Sequence, residues 1–175
     1  MQVPLTAYAE DCSFTGKLDF VADRLSDFLT GTVEFVVGPV AFRALEDGHV
    51  VEEVSAAILR DDLLVVVASG PRGREDLRIW TRQYPVRARV GPYVVRGYLH
   101  APPTIDPLKM ASRRQFLALT SGRITYAEAG TEIQVNAEAV LLNSARIEAL
   151  EVAMIEDVDG GSPDVEGSDV EGSDA

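Results

Sequence analysis

The chain has little of several residue types, and each shortage excludes a class of protein. Its 175 residues include one cysteine, Cys12, which cannot form a disulfide within the chain. A disulfide scaffold is therefore excluded, and a reducing, cytoplasmic environment is expected. The longest purely apolar run, residues 63–68, is far too short to span a membrane, so no membrane partner is expected. The N-terminal residues lack the basic and apolar regions of a secretory signal, and we expect none.

Histidine is scarce as well, which argues against metal chemistry. The two histidines, His49 and His100, are distant in sequence, and no His or Cys pair has the spacing of metal ligands. We therefore expect no metal site and no cofactor. His100 and Asp106 form the one pair considered for catalysis, but no nucleophile motif such as Gly-x-Ser-x-Gly accompanies them. The sequence predicts a protein that is not an enzyme and has no catalytic residues, with a site at His100 and Asp106 kept as an alternative.

Negative charge is plentiful but unevenly placed. The formal net charge is -12, and residues 156–175 contain acidic residues without any Lys or Arg. The same segment repeats Asp-Val-Glu-Gly-Ser and has no aromatic residue. Because it has almost nothing to bury, ordering it would cost backbone entropy without compensation. We predict a disordered acidic tail over 157–175.

Arginine is concentrated in the middle of the chain, between residues 72 and 96. If residues 78–84 form a strand, alternation places Arg and aromatic side chains on one face. Such a face can stack bases and neutralise phosphates, and it equally suits an internal cation–π ladder around Trp80. The negative net charge opposes binding to nucleic acid. The candidate binding residues are Arg78, Trp80, Arg82, Tyr84, Arg87 and Arg89.

The chain resembles itself at a fixed interval, which is typical of duplication. Gly16-Lys17-Leu18-Asp19 matches Gly97-Tyr98-Leu99-His100 at an offset of 81 in the numbering. Phe35-Val36 matches Phe116-Leu117 at the same offset. After a gap of one residue, an offset of 82 aligns 42–48 with 124–130 and 57–62 with 139–144.

Each copy is predicted to contain a strand, a short helix and three further strands. Asp23 and Asp106 are expected to cap the helices, with Pro107 at the first helical position of the second. The Asp47-Gly48 pair is typical of a hairpin turn. The predicted elements are 13–20, 23–29, 34–45, 50–60 and 63–68 in the first copy, and 93–100, 106–111, 116–127, 131–142 and 146–153 in the second.

This pattern predicts a mainly β fold of two tandem SH3-like or Sm-like barrel modules, each with one short helix and related by a pseudo-twofold axis. Such barrels need a fifth strand, which the connector is expected to donate. Pro85 is expected to split the connector into two strands. A single β-sandwich is the alternative. The predicted boundaries are 1–70 for the first module, 71–92 for the connector, 93–156 for the second module and 157–175 for the tail.

Short motifs add a resemblance to this interpretation. Gly97-Tyr98-Leu99-His100-Ala101-Pro102, the segment 114–120 and the segment 24–29 resemble motifs of an uncharacterised family of small bacterial β-domain proteins. The resemblance covers about 50 residues of each copy. It implies a small all-β fold, and it carries no activity or catalytic residue to transfer.

Together these features favour a non-enzymatic, cytoplasmic protein-interaction or scaffold protein. Its expected partner is another protein or a second copy of itself, in which case a dimer is the expected form. The alternative function is a nucleic-acid-binding module of Sm-like type that uses the Arg and aromatic face. In that alternative, the tethered acidic tail would screen the Arg-rich segment from other polyanions.

Overall fold

The computed structural model describes residues 2–69 and 80–154, and these residues are mainly β-strand. Its two helices are α1 (Leu25–Gly31) and α2 (Pro107–Ala111), and single 3-10 turns lie at Arg60–Asp62 and Ser144–Arg146. The strands are β1 (Gln2–Tyr8), β2 (Cys12–Asp19), β3 (Glu34–Ala44), β4 (Val50–Glu53), β5 (Ala56–Leu59), β6 (Val65–Val67), β7 (Arg82–Val90), β8 (Tyr93–Ala101), β9 (Phe116–Glu128), β10 (Thr131–Asn143) and β11 (Ile147–Val152). The mainly β prediction is confirmed. None of the described helices has the length and apolarity needed to cross a membrane.

The eleven strands form one antiparallel sheet. Its order is β11-β7-β8-β9-β10-β6-β1-β2-β3-β4, with β5 beside β3. We call β1–β6 the N-terminal half and β7–β11 the C-terminal half. The two halves meet where β10 pairs with β6, and we call this contact the central joint.

The two halves pair their strands in the same register. An offset of 81 in the numbering carries the β1–β2 pair Gln2↔Asp19 onto the β7–β8 pair Gln83↔His100. If β2 keeps the offset of 81 and β3 takes an offset of 82, the β2–β3 pair Leu18↔Val37 maps onto the β8–β9 pair Leu99↔Leu119. If β1 keeps the offset of 81 and β6 takes an offset of 84, the β1–β6 pair Ala7↔Val66 maps onto the β7–β11 pair Ala88↔Leu150. Each strand contact within one half therefore has a counterpart in the other.

This register corrects the sequence alignment at two places. The gap of one residue lies before the third strand, so Phe35 occupies the position of Leu117 and not that of Phe116. We call β3–β4–β5 and β9–β10 the second hairpins of the two halves. Beyond the last pairing that both hairpins share, the tip of the β9–β10 hairpin has two more residues than the tip between β3 and β4, so Ile58 corresponds to Leu142. Residues 35–37 and 116–119 are all apolar, so the pattern there also fits after a shift of one residue. A shift of two residues leaves an alternating pattern in phase, so the pattern alone misplaces both gaps.

Several predicted boundaries were wrong. The strand β1 was not predicted. Strand β7 is not split at Pro85 but continues through it. The carbonyl of Pro85 faces the β11 side, where it accepts a hydrogen bond from Ala153 N (2.8 Å), just beyond the end of β11. The nitrogen of Pro85 faces the same side as its carbonyl, away from β8, so the proline removes no bond between β7 and β8. Helix α1 is capped by Arg24 without a side-chain hydrogen bond, instead of by Asp23, whereas Asp106 caps α2 as predicted. The predicted strand 50–60 is interrupted between β4 and β5.

The buried side chains form two clusters that exchange residues across the central joint. Tyr8 and Leu64 of the N-terminal half pack in the cluster built mainly by β7–β10. Phe116 and Leu141 of the C-terminal half pack in the cluster built mainly by β1–β3 and α1. Tyr93 crosses the boundary as well, since its hydroxyl donates to Ala9 O at 2.6 Å. Each half therefore completes the core of the other.

Candidate interaction surface

Strand β7 separates the predicted binding residues onto two faces. Arg82 is exposed and Tyr84 is half-buried, and their face continues into the buried side chains of Val86 and Ala88. Trp80 lies just before the strand and is 73% exposed. Arg78 lies outside the described residues. Alternation along β7 therefore keeps Arg82 and Tyr84 on one face, next to an exposed indole.

Arg87 and Arg89 lie on the opposite face of β7, where β11 supplies acidic partners. Arg87 Nη1 lies 3.1 Å from Glu151 Oε1, and Arg89 Nε lies 3.0 Å from Glu148 Oε2. Exposed ion pairs of this kind stabilise a fold little, but they cancel local charge. This face therefore presents two ion pairs instead of two free cations.

His100 and Asp106 each serve a separate local structure. His100 Nε2 lies 2.7 Å from Thr120 Oγ1, and burial lowers the pKa of its imidazole below the usual value. Asp106 accepts a hydrogen bond from Leu108 N at 3.0 Å at the start of α2. The contacts found among the described residues do not join the two side chains.

The other titratable candidate is the thiol of Cys12. Burial, followed by the adjacent Asp11 carboxylate, raises the pKa of Cys12 to about 11. The thiol is therefore protonated near neutral pH, and a protonated thiol is a poor nucleophile and metal ligand. Across 2–69 and 80–154, no three His, Cys, Asp or Glu side chains lie together in a way that could hold a metal ion.

A groove of about 930 Å³ runs along the central joint between α1 and the strands β9 and β10. Its lining includes the apolar side chains of Phe116 and Ala118 and the charged side chains of Arg24, Arg113 and Arg114. The full lining comes from four separate stretches of the chain, within 24–30, 67–69, 113–120 and 136–141, so no local sequence pattern could have predicted the groove.

The second exposed feature is an apolar surface at the outer edge of the N-terminal half. Val36 on β3 is 61% exposed, Leu59 on β5 is 46% exposed, and Val54, just before β5, is 88% exposed. Register places Ala57 opposite Val36 on the same face. We call these residues, Val36, Val54, Ala57 and Leu59, the β5 surface.

The corresponding positions of the second hairpin in the C-terminal half are covered. The register relates Ala57 to Leu141 and Leu59 to Asn143. Leu141 and Asn143 are 3% and 4% exposed, because the N-terminal half packs against them at the central joint. The part of the β5 surface formed by Ala57 and Leu59 is thus the uncovered equivalent of a buried interface.

Comparison with known protein families, curated proteins and solved structures finds no match to this chain.

Proposed function

We propose that the chain is a non-enzymatic interaction protein, built from a duplicated β module, that acts as a scaffold in the cytoplasm. The observation that carries this proposal is the β5 surface, which groups exposed apolar side chains beside a strand whose outer edge has no partner within 2–69 and 80–154. Single exposed apolar residues are ordinary, but a group of them along an open strand is typical of a binding site.

Duplication is supported by the shared register of the two halves. Both have a strand order in which the last strand pairs with the first and the short helix follows the second strand. Both also place a 3-10 turn before the last strand, at Arg60–Asp62 and Ser144–Arg146. With β4 and β5 counted as one interrupted strand, each half has five strands. Five strands with these connections suit a small SH3-like barrel, and we propose that each half is one such module.

The β5 surface can bind a partner by strand addition. An incoming extended segment pairs with the outward N–H and C=O groups of β5, and the side chains of Ala57 and Leu59 pack against it. In this mode, main-chain hydrogen bonds provide affinity and alternate side chains provide specificity. The partner is therefore a protein that presents an extended strand with apolar side chains.

The test is site-specific photo-crosslinking in cells, with benzoylphenylalanine at Leu59. We expect a protein adduct that is lost when Ala57→Lys is added to the same chain, because a lysine beside the incoming strand opposes apolar packing. The matched control carries the crosslinker at Glu132, which is exposed on the second hairpin. Adducts to nucleic acid alone, or equal yields from both positions, would contradict the proposal.

Nucleic-acid binding is the second candidate, and the exposed Trp80 next to Arg82 favours it. A single-stranded oligonucleotide that stacks on Trp80 quenches its fluorescence, and added salt relieves the quenching. We expect stronger quenching in a chain that ends at residue 156, because the acidic tail no longer competes for the arginines. Arg82→Ala is the matched variant, and the absence of quenching in every chain contradicts this candidate.

A further inference from the structure

The central joint is a regular antiparallel contact between two strands. Leu141 of β10 lies opposite Val66 of β6. Two further main-chain bonds flank this pair, from Ala68 N to Ala139 O and from Asn143 N to Leu64 O, both at 3.0 Å. The joint therefore has a defined register and a defined set of donors and acceptors.

The same register shows that the two strands of the central joint, β10 and β6, correspond to the strands at the two outer edges of the sheet. Strand β10 corresponds to β4 and β5, and strand β6 corresponds to β11. Among the described residues, β5 is paired only with β3, and β11 is paired only with β7. The described sheet thus makes this contact once at its centre, and the outer side of each matching strand has no partner among the described residues.

We propose that β5 of one copy pairs with β11 of a second copy, so that chains associate head to tail. This inference rests on the proposed function and names its partner. The register follows from the central joint: Ala57 lies opposite Leu150, Ala56 opposite Glu151 and Ile58 opposite Ala149. The flanking bonds run from Leu59 N to Glu148 O and from Val152 N to Ser55 O across the two copies.

The pattern of exposure supports the same partner. In the C-terminal half, Leu141 and Asn143 are buried by β6 and its neighbours, whereas their equivalents on the β5 surface are exposed. A second copy supplies β11 as the equivalent of β6, and α2 as the equivalent of α1. Ile105, just before α2, is 44% exposed, and Leu108, within α2, is 37% exposed. Both are available for this contact.

The charges on β11 are compatible with such a contact. Glu148 and Glu151 are paired with Arg89 and Arg87 on the neighbouring strand. The strand therefore approaches β5 with its carboxylates already neutralised, and this lowers the cost of desolvating them.

One difference makes the contact between copies weaker than the central joint. Asn143 Nδ2 donates to Leu63 O at 2.9 Å within the central joint. Its equivalent, Leu59, has no side-chain donor. The contact is also heterologous, since two different edges meet, and such contacts form either closed rings or open filaments.

Two variants test the proposal by blocking one edge each. Leu59→Pro removes the outward N–H of β5 at a residue whose φ of -81° accommodates proline. Val152→Pro removes the outward N–H of β11 at a position that is 53% exposed. The lysine variants Leu59→Lys and Val152→Lys block the same edges without a change in the backbone. Circular dichroism checks that every variant keeps its β structure.

The readout is the mass of the full-length chain in solution, measured by light scattering after size exclusion. We expect the wild type to exceed the 18.9 kDa of one chain, and each blocked variant to be a monomer. A mixture of the Leu59 and Val152 variants retains one open edge of each kind, so it should give a 1:1 dimer of twice that mass.

Three results overturn the inference: a monomeric wild type, blocked variants that keep the wild-type mass, or a mixture that stays monomeric. The crosslinking experiment separates this failure from that of the proposed function. If the adduct from Leu59 contains another protein and the wild type is monomeric, only the head-to-tail inference fails. If Leu59 gives no protein adduct and the wild type is monomeric, both fail.

Discussion

The second hairpins of the two halves, β3–β4–β5 and β9–β10, have the same internal register but very different surroundings. In the C-terminal half, β10 runs unbroken over Thr131–Asn143 and reaches the central joint. In the N-terminal half, the equivalent stretch is divided into β4 and β5, and Val54 at the break is 88% exposed. The comparison shows that pairing within a half determines the register of its second hairpin. Whether the outer strand of that hairpin is buried depends on a strand of the other half docking beside it.

The largest effect is expected from matched truncations in the two cores. Leu18 and Leu99 are register equivalents, 1% and 2% exposed, in different clusters. Replacing either with Ala should lower the free energy of unfolding by about 2–5 kcal/mol through lost burial and an added cavity. Because the clusters exchange side chains, both variants should unfold in one transition by calorimetry and far-ultraviolet circular dichroism. A Leu99→Ala chain that unfolds in two separate steps would show that the halves are independent.

An intermediate effect is expected at the paired glycines of β2 and β8. A Cβ atom at Gly16 would lie 2.5 Å from Val37 Cγ1, and one at Gly97 would lie 2.9 Å from Thr120 O. Either Gly→Ala variant should therefore lose about 1–3 kcal/mol of stability through overpacking. Gly31→Ala is the control, because no atom outside its own helix backbone and chain neighbours lies within 4 Å of its Cβ position. Thermal unfolding measures all three, and equal melting temperatures for Gly97→Ala and Gly31→Ala would refute the equivalence of Gly16 and Gly97.

The smallest effect concerns a position at which the halves differ chemically: His100 corresponds to Asp19. Burial lowers the pKa of His100 below its usual 6.5, so the unfolded chain binds this proton at a higher pH than the folded one. The contribution to stability is therefore present above pH 6.5 and is lost as the pH falls towards the folded pKa. Urea unfolding between about pH 7 and pH 5 should show a shallower pH dependence for His100→Gln than for the wild type. Identical slopes would contradict the shift.

The sequence was informative wherever a pattern is local. The Gly16-x-Leu18 and Gly97-x-Leu99 pairs marked equivalent strands, and Asp106 with Pro107 marked the start of α2. The sequence of the missed strand β1 contains a signal as well: at the offset of 81, Gln2, Pro4 and Ala7 are identical to Gln83, Pro85 and Ala88. Three identities spread over six positions are weak until the register shows that they belong together.

The candidate surface could not be predicted in the same way. The ion pair between Arg87 and Glu151 depends on a strand far along the chain. The exposure of Leu59 and the burial of Asn143 depend on which strand docks beside each of them. Alternation predicts that a residue faces outward, but not what covers that face.

The buried amide of Asn143 has a consequence for folding. It donates to Leu63 O, and its oxygen accepts from Ala145 N at 3.2 Å, so both ends of the amide are satisfied only when β6 docks at one position. A chain that pairs these strands two residues out of place leaves a donor without an acceptor, at a cost of about 1–3 kcal/mol. A single side chain thereby disfavours folding intermediates in which β10 and β6 pair in the wrong register.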